Sequence, residues 1–373
     1  MASRRLRVLI ACPGVGRERR GFETFADELF QAFRDDERLQ VELAKSAAPW
    51  RPGDIRVPSL ARGGRAARAA GRVVRRHGLW AEQASFSGVL APRLLSLRPD
   101  VVYLSEWAPG VWLSRWRRFA RLRFRVLLSN GGSYMPPFDA FDHVQQLTKL
   151  HYDAALAGGE PPERHTLLPY GFTIPERVAT PDEKARLREQ LSLPQDRSIA
   201  IAVGSLDVTI KRHDQVVRAA ARTQARPFVV LLGQRGPETP QLESLTASVL
   251  EPPDYLIASA EPDAVDGYLR AADVFVLASP REGMGRAPVE AAGVGLPCIV
   301  NDHPVLREVL GSAARYVDTE DVDAVAAALD AELAEPGGHE RADERRRTMH
   351  ERYDWSSLRD RYVELLERAA AAH

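Results

Sequence analysis

At 373 residues the chain has the length of two domains, at roughly 100–200 residues apiece. Apolar residues make up 45% and charged residues 27%, with net charge zero, which excludes a wholly disordered or fibrous chain and gives no electrostatic case for nucleic acid. No stretch reaches the roughly 18–20 apolar residues of a membrane helix, and the apolar run after Arg4, Arg5 and Arg7 is shorter than a signal-peptide core.

In chain order, short β-branched runs alternate with helical patterns, the signature of parallel α/β architecture. Strands are expected over 7–12, 40–44, 100–105, 125–129 and 167–169, with helices over 22–34, 83–97 and 140–155 between them. A second series follows, with strands over 198–203, 227–232, 255–258, 273–278, 298–301 and 314–317. Its helices are expected over 216–222, 239–249, 264–271, 286–293, 305–310 and 322–334. Pro169, Gly171, Pro175 and Pro181 break the periodicity between the two series. The reading is two doubly wound sheets, an N-terminal domain over 1–174 and a C-terminal domain over 175–352, with a last helix in 353–373 packing back toward the first. Two such sheets facing across a cleft would bind ligands at the carboxyl ends of their strands.

The neutral total hides an asymmetry. Residues 1–180 carry 28 Lys+Arg against 18 Asp+Glu, and residues 181–373 carry 23 against 33, so a +10 half is joined to a −10 half. The excess sits in two runs expected to be basic helices, Arg62 to Arg76 and Trp112 to Arg123. Charge runs are usually solvated helix surface, and that plainer reading stands ahead of a face docking on an anionic membrane. The two cysteines, Cys12 and Cys298, lie in no metal or disulfide pattern. A cytoplasmic protein is expected, peripheral at the membrane if the basic runs serve one.

Three loops at expected strand ends carry candidate chemistry. Pro13-Gly14-Val15-Gly16 follows the first strand, but a dinucleotide fingerprint needs a glycine where Arg19 stands, which disfavours a nicotinamide enzyme. Gly204 ends the first strand of the second series, and Lys211 and Arg212 follow at a helix start, a combination suited to a diphosphate. No P-loop is present. In the third loop Glu282 is followed by Gly283-Met284-Gly285-Arg286, with Glu290 eight residues after the first glutamate. Bare amides at a helix start suit diphosphate and sugar oxygens, and a carboxylate can accept from both ribose hydroxyls.

This last segment resembles the E-x7-E motif of retaining glycosyltransferases of the GT-B fold, the family 4 group. The lead-in 267–279, Lys211-Arg212-His213-Asp214, Leu167-Leu168-Pro169-Tyr170-Gly171 and Tyr353-Asp354-Trp355 resemble the same family. The resemblance implies a hexosyl transfer from a nucleotide-diphosphate sugar, held by the C-terminal domain, to an unidentified acceptor hydroxyl held by the N-terminal domain, with no metal and no further cofactor. It assigns Glu290 to the ribose, Glu282 to the donor sugar, Gly283, Met284, Gly285 and Arg286 to sugar and diphosphate, and Lys211 with Gly204 to the diphosphate. Gly14 and Gly16 would approach the phosphates from the other domain.

Two positions depart from the family pattern. Ser205 stands where an arginine usually follows the strand-end glycine, so Arg212 or Arg286 would have to substitute. Asn130 stands where the family often has a histidine, and a carboxamide hydrogen-bonds but moves no proton. Glu106, at the tip of the 100–105 strand, is expected to orient the acceptor hydroxyl. Two further readings stay open: a phosphorylase-like or sucrose/trehalose-synthase-like enzyme on the same fold, and a non-catalytic sugar-nucleotide-binding subunit.

Overall fold

The computed structural model describes residues 4–18, 21–73, 78–260, 262–334 and 339–372. The chain divides into two compact units, Met1–Gly171 with Leu358–His373, and Phe172–Ser357. The first crossing therefore falls at 171/172 rather than at the expected 174/175, and the return at 357/358, inside the last helix (Trp355–Ala371), rather than at 352/353.

The first unit holds a seven-stranded parallel sheet of β1 (Leu6–Ala11), β2 (Leu39–Lys45), β3 (Asp54–Arg56), β4 (Val101–Leu104), β5 (Arg125–Ser129), β6 (His143–Gln146) and β7 (His165–Leu167), in the order β3-β2-β1-β4-β5-β6-β7. The second holds a six-stranded parallel sheet of β8 (Ile199–Val203), β9 (Phe228–Leu232), β10 (Tyr255–Ala258), β11 (Val274–Leu277), β12 (Cys298–Asn301) and β13 (Ala314–Val317), ordered β10-β9-β8-β11-β12-β13. Both are doubly wound, with chain order reversing beside the first strand, β1 against β4 and β8 against β11. The central strands are apolar and buried throughout, as strands covered on both faces must be: Val101–Leu104 and Val274–Leu277 expose almost nothing.

The expected 140–155 helix is wrong in its first half. His143–Gln146 is a buried strand, and the helix begins only at Lys149. Polar side chains disguise the strand because they find partners inside: His143 Nε2 lies 2.8 Å from Thr166 Oγ1, and the Gln145 amide donates to the Leu168 carbonyl at 2.8 Å. Burial then holds the His143 imidazole neutral, its pKa lowered to about 4. The last strand of the first series lies at His165–Leu167, two residues earlier than expected. Helices Pro181–Gln190 and His339–Tyr353 carry no apolar stripe and were not anticipated; the first opens with a Thr180/Glu183 capping box.

The basic runs are helical in part, over Arg65–Val73 and Trp107–Phe119; Arg62 precedes the first helix, Arg121 and Arg123 follow the second, and Arg75-Arg76 lies outside the described residues. The runs are not uniformly solvated. Arg62 and Arg117 turn inward to Glu82 and Asp142, whereas Arg115, Arg118, Arg121 and Arg123 are exposed.

Candidate functional site

In the second unit the point where chain order reverses lies between the carboxyl ends of β8 and β11, the usual ligand position of a doubly wound sheet. The loop leaving β8 is tied by carboxylates: Asp207 Oδ1 accepts the Ile210 and Lys211 amides at 2.9 and 2.6 Å, and Glu238 accepts the Val208 amide at 3.0 Å. So anchored, the loop lays the Lys211 stem over Gly204 and brings its ammonium to Glu282 Oε1 at 2.5 Å, across from the end of β11. The ion pair keeps solvent access, with side-chain exposures of 23% and 10%. His213, the first residue of the following helix, is buried, and burial reinforced by the Lys211 charge lowers its pKa to about 4.

Beyond Glu282 the chain passes the buried Met284 to Gly285, whose φ of +79° suits only glycine without strain. The helix Arg286–Gly293 starts there without a side-chain cap, so its first amides lack intrahelical partners. Arg286 donates to Glu290 Oε1 one turn on, at 2.9 Å, and its guanidinium lies 4.5 Å from the Phe172 ring centre. Arg212, by contrast, takes a left-handed backbone and turns to Asp214 at 3.2 Å, away from the Lys211–Glu282 pair.

The first unit repeats the geometry with different chemistry. Its reversal point lies between the ends of β1 and β4, which carry the Cys12–Gly16 loop and Glu106. A Cβ on Gly14 would fall on the Glu23 carboxylate, so this close approach excludes any side chain there. Gly16 has φ +82° and packs against the backbone of Ala47 and Ala48. Glu106, the residue before helix Trp107–Phe119, is buried, with Oε1 3.9 Å from Cys12 Sγ and Oε2 without a hydrogen-bond partner among the described residues. Burial first, then the neighbouring Glu23 charge, pushes its pKa up to about 8, with Arg62 pulling the other way. Glu106 therefore holds a proton at neutral pH. Arg62 is committed to Glu82 at 2.8 Å and approaches Glu23 at 4.0 Å.

Asn130 plays a different part from the one its place in the sequence implied. Its amide donates to the Tyr134 carbonyl at 2.9 Å and to Gln146 Oε1 at 2.8 Å, while its carbonyl accepts the Tyr134 amide at 2.7 Å. Both N–H groups are taken, and the side chain acts as a clamp on the 130–134 turn.

The structure thus brings Gly204, Lys211 and Glu282 together, sets Gly283 to Glu290 along one helix start, and turns Arg212 and Asn130 to structural contacts. Sequence reasoning missed Asp207, Glu238, Glu23, Glu82 and Arg62. Asp207 carried a signal, as Asp before a short turn accepts amides two to four residues on; Arg62, in the turn before the Arg65–Val73 helix, and Glu82, in the Gly78–Leu97 helix, carried none.

Residues 183–351 match the family model described as glycosyl transferases group 1, a span that takes in Gly204, Lys211, Glu282 and Glu290. The D-inositol 3-phosphate glycosyltransferase of Thermobispora bispora is 30% identical over 233 residues, 56% of this chain and 52% of that one. The chain spans a third to about half the length of the first curated relatives it matches. Among solved structures, sucrose-phosphate synthase of Thermosynechococcus elongatus superposes with a TM-score of 0.80 at 18% identity, over 99% of this chain and 100% of that one. Anabaena HepE in complex with UDP-glucose gives 0.76 at 13% identity, over 97% and 99%. The architecture is the two-domain, Rossmann-like GT-B fold.

Proposed function

We propose that the chain transfers a hexosyl group from a nucleotide-diphosphate sugar to an acceptor hydroxyl, with retention of configuration and without a metal ion. The observation that carries this reading is the Lys211–Glu282 pair at the reversal point of the second sheet, beside an uncapped helix start that leads to Glu290. The match over residues 183–351 and the UDP-glucose held by a protein of the same fold support it.

In this reading the E-x7-E glutamates divide the donor. Glu290 takes the ribose hydroxyls, exchanging its bond to Arg286 for them, and Glu282 takes the transferred sugar. Lys211 leaves Glu282 for the diphosphate, joined by the Gly283 to Arg286 amides and by Arg286 itself, which offsets Ser205; Gly204 leaves room for the Lys211 stem. Gly14 and Gly16 contribute amides to phosphate. The bond from the anomeric carbon to the diphosphate oxygen breaks, the acceptor oxygen bonds to that carbon, and the acceptor proton passes to the departing diphosphate. Cation and amides stabilise the charge that gathers on the leaving oxygens. Glu106, protonated at rest, orients the acceptor hydroxyl, and Asn130 holds the turn beside it.

A thermal-shift panel of nucleotide diphosphates and their sugar conjugates, with EDTA present, tests the reading. One base should stabilise the chain, more so with its sugar, and Glu290→Ala should remove the effect. Stabilisation without release of nucleotide diphosphate in the presence of any acceptor would favour a non-catalytic donor-binding subunit, the reading that Ser205 and the clamped Asn130 keep in view.

A cytoplasmic location with a peripheral membrane contact belongs to the same proposal. No described helix is long and apolar enough to cross a membrane. The exposed Arg115, Arg118, Arg121 and Arg123 flank Phe119 in sequence, itself 81% exposed, a basic and aromatic segment of the kind that meets anionic lipid.

A further inference from the structure

The first unit contains a hollow of about 360 Å³ lined by Leu79, Gln83, Trp107, Ala108, Tyr134 and Met135. None of these carries a charge. Trp107 and Tyr134 form its aromatic wall, with ring centres 5.1 Å apart, and Trp107 is backed by Phe141 at 5.0 Å and Phe138 at 5.7 Å. The wall is held in place. Asn130 brackets the Tyr134 backbone from both sides, and the Tyr134 phenol accepts from the Trp107 backbone. At the rim, Leu79 and Met135 present apolar side chains to water at 37% and 58% exposure.

Glu106 directly precedes Trp107, and its buried carboxyl, one oxygen of which has no hydrogen-bond partner among the described residues, lies close enough to Tyr134 to act on its phenol. A carboxyl of this kind accepts or donates a hydrogen bond to a hydroxyl. A phosphorylated acceptor fits poorly. The lining offers its charge no cation, and Arg62, the described cation that acts on Glu106, is already shared by Glu82 and Glu23. The volume is that of a small-ligand site, enough for one or two rings, and the Trp107 and Tyr134 faces favour aromatic ones.

We infer that this hollow is the acceptor's aglycone subsite, and that the acceptor is a neutral hydroxyl compound with an aromatic ring that lies against Trp107 and Tyr134. The inference rests on the glycosyl-transfer reading and narrows its acceptor class.

Calorimetric titration of the full chain with phenyl β-D-glucopyranoside, methyl β-D-glucopyranoside and glucose 6-phosphate tests it. The phenyl glucoside should bind about 10-fold or more tighter than the methyl one, the gain from burying one ring, and glucose 6-phosphate more weakly than either. Leu79→Asp and Met135→Asp, both at the exposed rim where the fold tolerates charge, should each abolish the phenyl preference. Failure of the phenyl glucoside to bind, equal affinity for the two glucosides, tighter binding of the phosphate, or rim variants without effect would each overturn the assignment. Nucleotide-diphosphate stabilisation of the same preparation reports separately on the donor site. Loss of that signal sinks glycosyl transfer, whereas its presence without a phenyl preference sinks the aglycone subsite alone.

Discussion

The two sheets place a glutamate at the same topological position, after the fourth strand and beside the loop that leaves the first, and treat it in opposite ways. Glu282 is met by the Lys211 ammonium at 2.5 Å and keeps contact with solvent. Glu106 is buried beside a thiol, and burial with the Glu23 charge, against the pull of Arg62, pushes it up to about 8. One scaffold position thus supplies a charged, exchangeable ion pair in one unit and a proton-bearing carboxyl in the other. The difference comes from the companion loop: Asp207 and Glu238 fold the β8 loop so that its lysine reaches over, whereas the glycine-rich β1 loop brings the Cys12 thiol to Glu106. Fold alone does not set the chemistry of a site.

The largest test removes that contrast. Lys211→Ala leaves Glu282 without its cation, as Glu106 is now, and strips the diphosphate of its charged partner; donor turnover should fall about 100- to 1000-fold, the range for losing one transition-state contact. Unchanged turnover by coupled nucleotide-release assay would make the pair a structural one.

Next in size is a pH effect in the first unit. Glu106 titrates at about 8 when folded against 4.5 as a free side chain. Between those values the folded chain binds the extra proton, so the contribution to stability is full below about 4.5 and declines as pH rises toward 8. Glu106→Gln, which mimics the protonated carboxyl, should melt within a degree or two of wild type at pH 5 and several degrees higher at pH 8.5, about 1 kcal/mol moving Tm by a few degrees in a chain this long. Parallel melting curves for the two proteins across pH 5–8.5 would place the carboxyl in contact with water.

Glu290→Ala should weaken nucleotide binding by about 1–3 kcal/mol, the cost of losing charge-assisted hydrogen bonds, measured by titration with the stabilising nucleotide. It should leave the pH profile of melting untouched, because Glu290 and Glu106 belong to different units. Nucleotide affinity indifferent to the substitution would remove Glu290 from the donor site.

The architecture was legible because buried parallel strands are written as short β-branched runs, and all six strands of the second sheet lie within a residue or so of their expected bounds. Lys211, Glu282 and Glu290 stand in compact local patterns, and the fold pairs the first two. What escaped were places where polarity hides burial. His143–Gln146 reads as surface and is core, because its partners Thr166 and Leu168 lie some twenty residues away. Asn130 reads as a reactive-site residue and is a turn clamp, a role set by where Tyr134 folds back. Glu23, Glu82 and Arg62 meet only through tertiary packing, which no spacing encodes.

The smallest test sharpens the first-unit half of the contrast. Cys12 Sγ lies 3.9 Å from Glu106 Oε1, a weak donor at long range, and burial pushes the thiol itself up so that it stays neutral. Cys12→Ser replaces it with a hydroxyl, a stronger donor that favours the ionised carboxylate and should lower the Glu106 pKa by about one unit or less. The pH at which melting temperature begins to level off should move down with it, while Cys12→Ala should move it the other way or leave it in place. Both substitutions are nearly isosteric, so a common shift in the two variants would mean that packing beside β1, and not the hydrogen bond, governs the Glu106 proton.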